Sequence, residues 1–417
     1  MPNLKKFAVK FADDKVIFSE EVKSSEEYQK FLKDVNSFAI KLAASMNASI
    51  GEGSSFCISP VSAYMSLAIA CEISDEATRE EILQGLNITY DEMRAMTKYL
   101  HASLNEKYTL TDGFEEEKTS GYSQLSSSVW VREGTKLKQD AVDALSSDYM
   151  CDVYRASFID RTAKKMINQY VEYKTHGVSD GDLDFAADTS LAIISTFYVK
   201  EIWDSIGRGM SLSLDYHSFK NSDGSITQTP LLLGHYEQGR VYETSAFSTF
   251  YIDTVNGYRL HFLIPAEQKT VSDVFTERNI NWIINIKDYS RVDEQALELH
   301  YTRILFPEFE VSYSGTLNDV LTNDLSVNRL FSKNGASFDS LTSDPVTCRS
   351  IIHKCDLKVK ANGFDGTPVA GVGEPAPEAP EGYVKVYHEY FVERSFGFII
   401  TDPCGTIVYA GAVNDLN

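Results

Sequence analysis

No apolar run in this chain approaches the ~20 residues that a membrane-crossing helix needs, so no helical span is expected. There is no CxxC pair and no Cys/His spacing of the kind that holds zinc. The six cysteines (Cys57, Cys71, Cys151, Cys348, Cys355, Cys404) are too sparse in 417 residues for a disulfide scaffold. Most of them sit in or beside apolar runs, where reduced cysteine behaves as a small hydrophobe. No GxSxG turn is present to expose a nucleophilic serine, and no catalytic residue, metal or cofactor is expected. Basic residues are the scarcer sign: 39 Lys and Arg against 60 Asp and Glu leave a net charge of -21. Nucleic acid, anionic membranes and heparin-type polyanions all require clustered positive charge, so none of them is expected as a partner. Residues Phe7 to Lys15 are too broken by charge to be a signal-peptide core. The expected location is cytoplasmic, or secreted without a recognisable signal peptide; the sequons Asn47-Ala48-Ser49 and Asn87-Ile88-Thr89 pull towards secretion.

What is abundant is core-forming material, with 43% hydrophobic and 12% aromatic residues. Residues 1–33 form a charged extension that reads as a short hairpin (Phe7 to Ala12 with Lys15 to Val22) and a helix from Ser25 to Lys33. Apolar residues at helical spacing from Asn36 to Met46 predict a core helix. Phe56 to Ser59 is a short strand that ends at Pro60. Val61 to Ile73 is a nearly all-apolar helix and hence buried on most sides. Glu76 to Leu86 is a helix with acidic residues at its start. Leu125 to Trp130 and Leu191 to Val199 read as buried strands flanking a helix from Lys164 to Thr175. Strands then dominate: Phe250 to Thr254, Tyr258 to Ile264, Leu299 to Phe306 and Phe309 to Tyr313, with a helical patch from Leu317 to Leu325. Helices early and strands late, without regular alternation, predict an α+β fold rather than a doubly wound sheet.

The segment from Gly366 to Glu389 is different. It is rich in Gly, Pro, Ala and Glu, which form loops well and cores badly. A loop of this length inside a compact domain is usually functional or disordered. It lies between a strand around Ile351-Ile352-His353-Lys354-Cys355 and the closing strand Arg394-Ser395-Phe396-Gly397-Phe398-Ile399-Ile400.

Residues 34–417 resemble the serpin family through a series of motifs in one order. Phe56-Cys57-Ile58-Ser59-Pro60-Val61-Ser62 resembles the Phe-x-x-Ser-Pro-x-Ser of the sheet-opening shutter. Glu76 to Leu86 and Ile167 to Gly177 resemble the next helix and the helix lying across the main sheet. Phe197-Tyr198-Val199-Lys200-Glu201-Ile202-Trp203 is similar to the strand end at the breach, with Lys200 and Trp203 as its marker residues. Ser195 stands where the family usually has asparagine. Pro307-Glu308-Phe309, His353-Lys354 and Arg394-Ser395-Phe396 complete the series, Ser395 replacing the usual proline. The resemblance implies one domain with three β-sheets, about eight or nine helices and an exposed reactive-centre loop at 366–389. Read from residue chemistry alone, His353 in an apolar strand is a satisfied core histidine, Trp203 is a core aromatic, and Ser59, Ser62 and His353 form a hydrogen-bonded cluster rather than a hydrolase triad.

The same resemblance implies a suicide-substrate protease inhibitor that acts as a monomer on a serine, or cysteine, protease. Cleavage lets the first half of the loop insert into the main sheet and drag the acylated protease with it. Gly366-Thr367-Pro368-Val369-Ala370-Gly371 aligns with the loop hinge, and Thr367, Val369, Gly371 and Gly373 are small enough to be buried on alternate positions. Counting from either end places the scissile bond among Pro380, Glu381, Tyr383, Val384 and Lys385. Tyr383 suits chymotrypsin-like or cathepsin-like pockets and Lys385 suits trypsin-like ones. Against insertion stand Pro368, Pro375, Pro377 and Pro380, since proline cannot donate to a sheet ladder. A second reading therefore stays open: a non-inhibitory serpin-fold binding protein whose loop is a substrate or recognition surface.

Overall fold

The computed structural model describes residues 4–13, 16–111, 117–179, 183, 185, 188–203, 210–238, 241–286, 292–293, 297–332, 336–348, 351–365 and 381–416. Ten α-helices occur among these residues: α1 (Glu20–Ser24), α2 (Glu26–Ile50), α3 (Pro60–Ile73), α4 (Glu76–Leu86), α5 (Tyr90–Ser103), α6 (Gln139–Ser147), α7 (Thr162–Lys174), α8 (Val271–Val274), α9 (Glu277–Ile284) and α10 (Asn318–Asn323). None is long and apolar enough to cross a membrane.

Three sheets organise the chain. The main sheet runs β1 (Ala8–Lys10), β5 (Cys151–Ala156), β4 (Glu117–Arg132), β6 (Leu191–Ile202), β16 (Gly363–Phe364), β15 (Ile352–Lys360) and β14 (Phe309–Thr316), with β3 (Lys107–Thr111) also paired to β4. A second sheet runs β2 (Phe56–Ile58), β19 (Ile407–Val413), β18 (Phe396–Thr401), β11 (Arg259–Pro265), β10 (Phe247–Asp253) and β9 (Tyr242–Glu243). The third runs β12 (Val292–Asp293), β13 (Glu298–Pro307), β8 (Ile226–Gln238) and β7 (Ser211–Lys220), with β17 (Val384–Phe391) on β13.

Local chemistry explains the elements that position the site. Ser59 caps α3 by accepting from the Ser62 N–H, and Pro60 occupies the first helical turn, where its missing N–H is not needed. Every residue of α3 is buried, because the helix is enclosed by β6 on one side and β19, α2 and α4 on others. On the outer face of the main sheet, α7 packs across β4, β5 and β6. Tyr170, Ile167 and Ala163 meet Trp130, Tyr154 and Ile194 there in a separate apolar cluster. With helices on both faces, β6 is buried almost throughout, so its sequence shows no alternation, whereas β15 alternates strictly.

Expectations are corrected in two regions, the N-terminal extension and the loop. Among the described residues of 7–22 there is no hairpin: Ala8–Lys10 pairs with β5 at the edge of the main sheet, and Ser19 caps α1. The helix expected at 25–33 and the one at 36–46 are one helix, α2, whose buried residues run from Tyr28 to Asn47, so the extension is continuous with the core. The other region is the loop. Val384 to Glu389 is not loop but the first part of β17, because its backbone finds the open edge of β13 and pairs with it in parallel from Glu298 to Leu305.

Candidate functional site

The residues flanking the loop converge where β6 and β15 approach each other. At mid-sheet, the backbone N–H of Ser59 donates to His353 Nε2 at 3.0 Å, and the Ser59 and Ser62 hydroxyls are 3.0 Å apart. Ser59, Ser62 and His353, distant in sequence, are thus brought into one buried cluster beneath the sheet. Burial pushes the imidazole down to about 4, so it is neutral at physiological pH. Its Nε2 lone pair is taken by a backbone amide and not offered to a hydroxyl, so the cluster is not arranged as a nucleophile and base. Ser195, on β6, hydrogen-bonds instead with Ser127 of β4 at 2.9 Å.

Replacing His353 with alanine is expected to cost about 1–3 kcal/mol, because the Ser59 N–H is left buried without an acceptor. The sign of the pH effect follows from the lowered value. Between about 4 and the ordinary 6.5 the unfolded imidazole takes a proton that the buried one refuses, so this contribution is lost as pH falls through that window. Denaturant titrations of both proteins at pH 7.5 and pH 4.5 check it; equal differences at the two pH values would refute the neutral buried state.

At the end of the sheet where the loop departs, Trp203 is fully buried. Its Nε1–H donates to the Lys360 carbonyl at 2.9 Å, and its ring meets Phe364 and Phe306 edge-on at 5.1 and 5.9 Å. Lys200 does not join it: Trp203 lies just past the end of β6, and three positions apart along an extended chain the two residues take opposite faces. The residue that shares the inner side with Trp203 is Glu201, also fully buried. Its two carboxylate oxygens accept from Asn256 Nδ2 at 3.1 and 2.9 Å. Burial pushes this carboxyl up to about 7, partly offset by the Asn256 bond. Glu201 escaped the sequence reading, although a carboxylate inside the apolar stretch Phe197 to Trp203 was a visible signal.

The base of the loop is built by β16. Gly363 and Phe364 pair antiparallel with Lys360 and Val359 of β15 on one side and with Ile202 and Glu201 of β6 on the other. Gly363 has φ +129°, and a Cβ there would lie 1.9 Å from the Glu201 carbonyl oxygen, so only glycine fits. Asp365 follows with a positive φ of 45°. Its N–H donates to the Lys358 carbonyl at 3.2 Å, and its carboxylate accepts from the Tyr198 hydroxyl.

The hinge residues Gly366, Thr367, Pro368, Val369, Ala370 and Gly371, and Pro380, lie outside the described residues. The chain is described again from Glu381, which is exposed like Gly382, while Tyr383 is half-buried. The Val384 N–H then donates to the Leu297 carbonyl at 2.9 Å, and β17 begins. Val384 and Lys385 sit opposite Glu298 and Leu299 in that ladder, and Lys385 Nζ lies over the Tyr301 ring at 5.6 Å. Proteases bind substrates as extended strands against their own cleft, and a strand already paired in a sheet is not offered that way. Among the candidate scissile residues that are described, this leaves Glu381 and Tyr383 upstream of the strand. Farther along β17, Tyr387 stacks on Tyr301 at 5.5 Å, His388 meets His300 at 2.9 Å, and Glu389 pairs with Arg303.

A family model described as Serpin (serine protease inhibitor) matches residues 33–416. The chain belongs to the serpin family. Serpin-Z10 of Arabidopsis thaliana is 21% identical over 408 residues, covering 93% of this chain and 99% of its own length. A protein of Oryza sativa subsp. japonica, named probable non-inhibitory serpin-Z9, is 23% identical, with 91% of this chain and 85% of that protein covered. Among solved structures, the thermophilic serpin tengpin in its native state matches with a TM-score of 0.74 at 20% identity, covering 99% of each chain. That likeness shows the fold: an α+β serpin with three sheets and ten described helices, against the eight or nine expected. Serpins are generally inhibitors of proteases rather than enzymes. Among the described residues of this serpin, no group of His, Cys, Asp and Glu is placed to hold a metal ion.

Proposed function

We propose that this serpin is a suicide-substrate inhibitor of a protease with a chymotrypsin-like or cathepsin-like specificity pocket. The observation that carries the reading is β16. The first two residues of the departing chain already form a strand between β6 and β15, hydrogen-bonded to both. Cleavage downstream frees the segment from Gly366 onward to continue in that direction as a new strand. The small residues Thr367, Val369, Gly371 and Gly373 would occupy its buried face. At the other end β17 holds the chain to β13 over eight residue pairs, so the connection available as bait is the eighteen residues 366–383. No Lys or Arg occurs in those eighteen residues, and Tyr383 is their only aromatic residue. This favours Tyr383 as the residue read by the protease pocket and disfavours trypsin-like targets.

The non-inhibitory reading has its own support in Pro368, Pro375, Pro377 and Pro380. Each missing ladder donor weakens insertion by on the order of 1 kcal/mol, and slow insertion lets the acyl-enzyme hydrolyse. Incubation with chymotrypsin-like, trypsin-like and cathepsin-like proteases separates the two. The inhibitor reading expects an SDS-stable covalent complex, a cut between Pro380 and Val384 by mass spectrometry, and a large rise in thermal midpoint of the cleaved protein. A clean cut with neither complex nor stabilisation supports the binding-protein reading. Replacing Pro368 with glutamate restores one backbone donor and is expected to raise the yield of complex.

A further inference from the structure

Two thiols meet beneath the insertion path. Cys57 Sγ, from β2 of the second sheet, lies 3.3 Å from Cys355 Sγ, from β15 of the main sheet. This is closer than two sulfur van der Waals radii, between residues 298 positions apart in sequence. The approach is held by the neighbouring rung. Two residues further along β2's chain and two residues back along β15, the Ser59 N–H donates to His353 Nε2 at 3.0 Å. Both cysteines are buried, at 0% and 5% exposure, between faces that pack directly on each other.

We propose that Cys57 and Cys355 are a disulfide site that joins the strand bordering the insertion path to the sheet beneath it. The reaction is thiol–disulfide exchange with a low-molecular-weight disulfide such as oxidised glutathione. One thiolate attacks the glutathione disulfide and expels one glutathione thiol, leaving a mixed disulfide on the protein. The second cysteine then displaces the second glutathione. The two cysteines lose two protons and two electrons, and oxidised glutathione gains them as two thiols. Burial holds the Cys355 thiol well above its ordinary range and keeps oxidant out, so exchange in the folded protein is slow. The bond forms during folding, while the strands are assembling and still open to solvent. It closes a loop of nearly three hundred residues and so restricts the unfolded chain strongly.

The test is to refold the full chain in a glutathione redox buffer and, separately, in excess reductant. After refolding with oxidised glutathione, mass spectrometry is expected to show a loss of about 2 Da and a cross-linked peptide pair containing Cys57 and Cys355. The thermal midpoint is expected to rise by roughly 5 °C or more over the reduced protein. C57S should refold equally well in reductant and show neither change. Protein refolded with oxidised glutathione in which both thiols can still be alkylated after denaturation, glutathione adducts at either position, or a different cysteine pairing would each overturn the proposal, leaving the pair as two packed hydrophobes.

Discussion

Replacing Trp203 with alanine is expected to lower stability by about 3–5 kcal/mol, the largest loss among the substitutions considered at this site. Three causes act together. A fully buried indole is removed from between Phe306 and Phe364, opening a cavity in the main core. The Lys360 carbonyl loses its 2.9 Å donor at the last residue of β15. Phe364 loses the surface that helps to seat β16 between β6 and β15. Urea unfolding followed by circular dichroism measures the loss, and Trp203→Phe should recover most of the packing but not the hydrogen bond. A loss below about 1 kcal/mol for the alanine variant would show that the site collapses around the cavity, and that the indole does not organise the breach.

Glu201→Gln is expected to make the protein more stable at pH 8 and to leave it nearly unchanged at pH 4. The carboxyl is raised from the ordinary 4.5 to about 7 in the folded protein. Below 4.5 it is protonated in both states and its full contribution is present. As pH rises through 7 the unfolded chain has already ionised, while the folded one must bury a charge, so that contribution is lost. The span of about two and a half pH units corresponds to about 3 kcal/mol. Glutamine keeps an oxygen for Asn256 and removes the ionisation, so the variant should lose most of this slope. Some dependence of the same sign remains from Asp402, which burial pushes up to about 6. His353 acts in the opposite direction over an overlapping range, which makes the wild-type profile flatter than either group alone. If Glu201→Gln retains the wild-type slope between pH 5 and pH 8, the carboxyl is not protonated in the folded state.

Both residues lie where the sequence was only half legible. The strand from Leu191 to Val199 could be read from its apolar run, and Trp203 just beyond the strand's end from its type. That Glu201 shares the inner side with Trp203 while Lys200 faces away depends on the strand's phase, which an unalternating, doubly covered strand does not display. The limit of the loop was misplaced for a related reason. Val384 to Phe391 carries Lys, His and Glu among its apolar residues and remains largely exposed. Nothing local marks it as a strand, and its conformation comes from the free edge of β13 beside it. The N-terminal hairpin failed likewise, since β1 is three residues long and is held by β5.

The sequence by itself determined the class of fold and the order of its parts. Cap, proline and a nearly all-apolar surface specify α3, and proline, glycine and small residues specify the long connection after β15, because these signals act within one turn or a few residues. The tertiary structure alone decided which distant groups meet: Ser59 with His353, Cys57 with Cys355, Trp203 with Lys360, and Gly363 with Ile202 of β6. Those pairings join residues roughly 160 to 300 positions apart. They are selected by how whole sheets and helices fill one dense core, a requirement that no local stretch of sequence expresses.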